Sequence, residues 1–245
     1  MLTSIHGISE LLNSWLSQQV TQEGFAWLSQ KQKQISADAN VRVFFAAFSA
    51  VPRYTGKEKL ELTHSDLQAA DRMRRDWYPG DWSVDQAART LLVLALPQED
   101  MQKYLRSLDQ IFSHADVGEL VALYQSLPLL PFPEQLRKRA AEGVRSNMTS
   151  VFNAVALHNP YPADYFDNIA WNQMILKALF VGSPLYLIQG FDRRANPELA
   201  RMLIDYVRER LAAKRSVSPE LWRAVRQLAD AEILTEIPDF LEIRN

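Results

Sequence analysis

The chain of 245 residues has no cysteine, eight glycines and four histidines. Each scarcity removes a class of chemistry. Without cysteine there are no disulfides, no thiolate metal sites and no thiol nucleophile. The glycines lie far apart, so no phosphate-cradling loop and no dinucleotide fingerprint can form. His6, His64, His114 and His158 are too widely spaced for a helical zinc motif, and no H-E-x-x-H occurs. The strained G-x-S-x-G turn of the serine hydrolases is missing as well. No enzyme built on these short motifs is expected, no metal and no cofactor.

Long apolar runs are equally scarce. The longest uncharged stretch, residues 146–163, contains Asn147, Thr149, Asn153 and His158. A spanning helix needs roughly 20 mostly apolar residues. No transmembrane segment is expected. The start, "MLTSIHGISELLNSWL", lacks the basic n-region and small-residue cleavage site of a secretory signal. The sequence therefore reads as a soluble cytoplasmic protein. Neither charge dominates: 27 Lys+Arg stand against 29 Asp+Glu, a net of −2. That balance argues against wholesale phosphate binding.

Hydrophobic residues make up 47% of the chain, and they recur at the helical period, with almost no strand-like alternation. Ile8, Leu11, Leu12, Trp15 and Leu16 form the first stripe. Phe25 and Leu28 mark a second helix. Val41, Phe44, Phe45 and Phe48 mark a third, expected to end at Pro52. Thr63 and Ser65 resemble a cap, and Ser83 with Gln86 reads as a capping box. Pro97 is expected in the first turn of the next helix, and Asp116 caps another. The segment "PLLPFP" (residues 128–133) cannot continue a helix, since proline removes a donor and restricts the residue before it.

One long helix is expected over residues 134–158, with Ala140, Val144, Met148, Val151 and Val155 on one face. Three later helices are expected behind Ser183-Pro184, Asn196-Pro197 and Ser218-Pro219, each a cap acceptor followed by proline at N1. The sum is ten to twelve helices. The expected fold is all-α: irregular helical hairpins, stacked as a HEAT-like right-handed solenoid or gathered in a compact helical bundle. Residues 1–130 form an N-terminal half and 131–245 a C-terminal half of what is expected to be one continuous domain.

Residues 158–223 carry the most unusual pattern. From Ile169 to Phe180 the helix is apolar nearly all round, which predicts burial on most faces. Gln173 and Lys177 lie one turn apart there. Lys177 either snorkels to the surface or forms a polar stripe in a pocket. In the next helix Leu199, Leu203, Tyr206 and Arg210 share a stripe, and Arg201 and Asp205 sit at i, i+4. Arg210 either offsets the helix dipole or forks onto a carboxylate or phosphate. Asp192, Arg193 and Arg194 occupy a connector, where the arginines clamp an acidic ligand or close the preceding helix. Residues 191–226 hold nine Arg/Lys and five Asp/Glu, a net of +4, and residues 227–245 a net of −4. The expectation is that the acidic tail folds back on the basic helices. A nucleic-acid surface is the weaker account, because aromatics are not interleaved with the positive charges.

The strings "NPYP", "WNQMILKALF", "GFDRRANPELARMLIDYVRERLAA" and "VSPELWR" resemble the EboA family of bacterial helical proteins. The match is dense over residues 159–223. Asn159, Tyr161, Pro162, Trp171, Asn172, Gln173, Lys177, Arg193, Asn196, Arg201, Asp205, Arg210 and Trp222 fall on the family's pattern, while at Leu211 an aromatic is expected in relatives. The resemblance implies a non-enzymatic binding or scaffold protein that assists traffic of a secondary-metabolite precursor. Its expected partners are a small-molecule metabolite or proteins of the same biosynthetic pathway, not nucleic acid. Tyr161, Trp171, Asn172, Gln173, Lys177, Arg193, Arg194, Arg201, Asp205, Arg210 and Trp222 are the candidate binding residues. The competing expectation is an enzyme of secondary metabolism using Lys177, Asp205 and Arg210 on an anionic small molecule.

Overall fold

The computed structural model describes residues 5–37 and 41–228. Among them are thirteen α-helices and no strand, apart from one isolated antiparallel bridge between Lys59 and Ser83. The all-α fold follows. The chain divides into two compact units, Met1–Tyr161 and Pro162–Asn245. The acidic tail lies outside the described residues, except for Gln227 and Leu228.

The first unit opens with α1 (Ile5–Gln19), α2 (Gln22–Ala37) and α3 (Val41–Thr55), followed by α4 (His64–Met73) and α5 (Val84–Leu94). Both expected caps between them form. The Thr63 hydroxyl accepts from Asp66 N while Thr63 N donates to Asp66, and Ser83 N donates to Gln86 Oε1 at 2.9 Å. Next come α6 (Met101–His114), α7 (Val117–Ser126), α8 (Arg137–Arg145) and α9 (Thr149–Ala156). Helix α5 is the centre: every residue but Gln86 is buried, and α1, α2, α3 and α7 pack against it. Within this unit the arrangement is a bundle around one buried helix. The proline-rich residues 128–133 run through two 3-10 turns, Leu127–Leu129 and Pro133–Leu136, inside it.

Several helix boundaries differ from expectation. Pro52 does not end α3 but sits in its last turn. Proline cannot donate to the carbonyl four residues back, so Phe48 O is left over. Arg89 Nε of α5 fills that role at 3.3 Å. Arg89 is itself buried and bonded to Asp85 at 2.5 Å, and its guanidinium lies over the Phe48 ring at 5.5 Å. Pro97 does not start a helix. Asp100 does, accepting from Lys103 N at 3.0 Å.

The long helix over 134–158 is a hairpin instead. Ser146 Oγ accepts from Met148 N, turning the chain between α8 and α9. Short polar side chains compete with the helix ladder in this way. Gly143 makes the fold-back possible: a Cβ there would lie 2.6 Å from Tyr124 and 2.7 Å from Val155.

The second unit continues α10 (Tyr161–Tyr165) into α11 (Asn168–Val181), α12 (Pro197–Ala212) and α13 (Pro219–Leu228). Asn196 and Ser218 cap α12 and α13 as expected, accepting from Leu199 N and Leu221 N. Ser183-Pro184 yields only a 3-10 turn, Leu185–Leu187. Gly182, at φ +77°, ends α11 in the left-handed cap that glycine adopts without strain. Helix α11 is not buried on most faces. It buries Trp171, Met174, Ile175 and Ala178, but Ile169 is 72% and Phe180 79% exposed. The described helices of this unit are too few to cover a helix that is apolar all round.

Candidate functional site

The residues singled out along 159–223 divide into those that hold the chain together and those that shape a cavity. Asn159 and Tyr161 close the first unit. Asn159 Nδ2 donates to Tyr124 O at 3.0 Å and Ala154 O at 2.9 Å, while its Oδ1 accepts from Tyr161 N. The Tyr161 hydroxyl donates to Pro133 O at 2.5 Å, and the ring is fully buried.

In the second unit, Arg194 is the hub of the connector between α11 and α12. Helix α10 has only five residues. The Arg194 fork ties it to the start of α11, donating to Ala163 O at 2.8 Å and Phe166 O at 2.9 Å, with longer bonds to Pro162 O and Asn168 Oδ1. The guanidinium also stacks over the Trp171 ring, 5.1 Å from its centroid. Desolvation and the neighbouring Arg193 charge both push the Arg194 pKa down, against the opposing pull of Asp167 and Asp164. Trp171 is fully buried and its Nε1 has no hydrogen-bond partner among the described residues, so its face carries the polar contact. Arg193 pairs with Asp164 at 2.7 Å on a half-exposed surface.

Asn172 and Asn196 form a reciprocal amide pair at 2.9 and 3.2 Å, fixing the start of α12 to α11. The polar residues of "GFDRRANPEL" are thus committed to intrachain partners.

The remaining candidates scatter. Gln173 is exposed on α11. Lys177, one turn on, is partly buried, and desolvation holds its pKa below the usual lysine range. Arg201 and Asp205 do not pair with each other. Arg201 meets Glu198 at 3.1 Å and Asp205 meets Arg208 at 3.6 Å, both exposed pairs of little energetic weight. Arg210 bends to the connector after α12: its Nε donates to Ser216 O at 2.7 Å and it lies over the Tyr206 ring.

That bend fixes Val217, the next residue, at the wall of a cavity of about 430 Å³ between α12 and α13. Leu211, Val217, Pro219 and Trp222 give it apolar walls, and Arg226 adds a cation. The volume lies within the range of small-molecule sites, roughly 300–1,000 Å³. Trp222 is the one sequence-chosen candidate that lines it. Lys177, Asp205 and Arg210 do not. Leu211 entered the sequence pattern only as a departure, Val217 and Pro219 only within the family-like string and the helix start, and Arg226 carried no signal. They are ordinary residues that the hairpin brings together. Among the described residues, none of the lining side chains can serve as a nucleophile or exchange a proton near neutrality.

Elsewhere, among the described residues, no group of three His, Asp or Glu side chains could hold a metal ion, and no helix is long and apolar enough to cross a membrane. Residues 8–226 match the family described as metabolite traffic protein EboA. No curated protein matches the chain, and no solved structure does.

Proposed function

The chain belongs to the EboA family, and from that premise we propose that it is a non-enzymatic, cytoplasmic binding protein. In this reading it assists the traffic of a secondary-metabolite precursor in bacteria and holds that small molecule in the α12–α13 cavity. The observation that carries the reading is the cavity's chemistry. It has the volume for a small ligand and, among the described residues, apolar walls including Trp222, one cation and no acid, base or nucleophile. Such a lining can bind and orient a molecule but cannot move its protons or attack it. Trp222 is the ligand's stacking wall. Arg210 positions the rim through Ser216 O. Trp171, Asn172 and Arg194 serve by keeping the unit assembled. The enzyme alternative would need Lys177, Asp205 and Arg210 to converge on one ligand, and the separate partners of Asp205 and Arg210 weigh against it.

Native mass spectrometry of protein purified gently from its own host tests this directly. The expected result is a bound small molecule that leaves on denaturation and is absent from Trp222→Ala protein of normal helicity. A ligand retained at full occupancy by Trp222→Ala would refute the assignment of the cavity. Turnover of the released compound by the purified protein would refute the non-enzymatic reading.

A further inference from the structure

The first unit contains a second, differently built opening. Helices α1 and α2 are consecutive and would be expected to close on each other through apolar side chains. The faces they turn toward one another are polar instead: His6, Ser9 and Asn13 from α1, and Ser29, Gln32 and Ser36 from α2. Closing that seam would strip water from hydroxyls and amides without giving them partners, which costs about 1–3 kcal/mol per group. A groove of about 530 Å³ remains there, with the small Ala95 side chain also in its lining.

The groove has a direction. Phe25 lies toward one end and Lys33 toward the other, eight residues apart on α2 and so about 12 Å along its axis. The two basic groups in the lining are not equivalent. His6 Nε2 is engaged by Glu10 at 3.1 Å. Lys33 makes no ion pair and no side-chain hydrogen bond among the described residues. Ser29 and Gln32 beside it likewise spend no side-chain donor on a protein partner. Asn13 uses one amide hydrogen on Ser9 O and keeps its second.

We propose that this groove binds a small organic anion bearing a ring. The anionic group would be held by Lys33 with the Ser29 and Gln32 donors, and the ring would lie against Phe25. The shared chemistry is a phosphate or carboxylate on an aromatic or alicyclic body. The site is separate from the α12–α13 cavity and does not depend on it.

The test is titration of the full-length protein with naphthyl phosphate and, in parallel, naphthoate, read by backbone amide chemical shifts. Naphthol and inorganic phosphate serve as probes of the two halves. Expected is a saturable shift confined to α1, α2 and the end of α5, with the tighter of the two anions identifying the head group. Naphthol and inorganic phosphate should each bind at least tenfold more weakly. Lys33→Gln should weaken binding about tenfold, and Ser29→Leu, which fills the groove without touching the charge, should do the same. Helical content should be unchanged in both, since both positions lie outside the core. Absence of a saturable shift in these helices, or unchanged affinity in both variants, would overturn the proposal.

Discussion

Replacing Arg194 by methionine separates a structural arginine from a ligand-binding one. The guanidinium makes two short bonds, to Ala163 O and Phe166 O, two longer ones, and a stacking contact with Trp171. Fully buried, a charge-assisted bond of this kind contributes about 1.5–3 kcal/mol. Arg194 is only partly buried, so solvent screening brings each short bond to about 1 kcal/mol. The cation–π contact adds about 0.5–1 kcal/mol. The expected cost of Arg194→Met is therefore about 3 kcal/mol. Lysine should recover less than half, because one ammonium cannot reach carbonyls that a planar fork spans. Arg193→Met, which breaks only the half-exposed pair with Asp164, should cost under about 1 kcal/mol. Urea unfolding followed by circular dichroism gives the three values, and amide exchange in α11 localises the loss. An Arg194→Met protein no less stable than Arg193→Met would refute the reasoning. So would lost ligand binding at full stability, which would put the guanidinium on the ligand.

Further outcomes follow from the first unit. Arg89→Met should cost about 3–5 kcal/mol, because it strands the buried Asp85 carboxylate and uncaps Phe48 O. Adding Pro52→Ala, which restores a helical donor to Phe48 O, should return about 1 kcal/mol of that loss in a double-mutant cycle. Strict additivity would break the link between Pro52 and Arg89. His158 stacks on Tyr78 at 4.4 Å and meets Asp81 at 3.2 Å, and desolvation lowers its pKa despite the Asp81 charge. A depressed histidine binds fewer protons folded than unfolded. Its contribution is therefore complete above the ordinary value of 6.5, falls as pH drops through that value, and levels off below the folded pKa. His158→Asn, which tolerates the φ of +52°, should flatten the stability profile as pH falls through 6.5, and an unchanged slope would exclude His158 as its source. Gly143→Ala should cost about 1–3 kcal/mol as the added Cβ meets Tyr124 and Val155, read as a lowered thermal midpoint.

Much of this architecture is legible in the chain because it is decided locally. Thr63, Asp116, Asn196 and Ser218 accept from amides three residues on, and Ser83 N donates to the Gln86 side chain, so a helix start can be read without knowing the fold. The stripe of Ile8, Leu12, Trp15 and Leu16 is buried as its period requires. The family resemblance over residues 159–223 also holds, and the match reaches back through the N-terminal half to residue 8. What the strings could not reveal is why those residues occur. Arg194, Asn172, Asn196 and Tyr161 look like functional side chains because they are polar and unusual, yet each is spent on intrachain carbonyls and amides.

Other features depend on partners distant in sequence. Pro52 stays inside α3 because Arg89, 37 positions away, caps the carbonyl it orphans. The helix expected over 134–158 folds into a hairpin because Gly143 lets Tyr124 and Val155 close on it. The lining of the α12–α13 cavity consists of residues with no distinctive chemistry, gathered by one connector that Arg210 holds in place. Capping and periodicity are set by hydrogen bonds and rotamers within a few residues, so the sequence by itself determined most helix starts and the all-α class. A cavity is set by what fails to fill the space between the helices, and only the tertiary structure decided that.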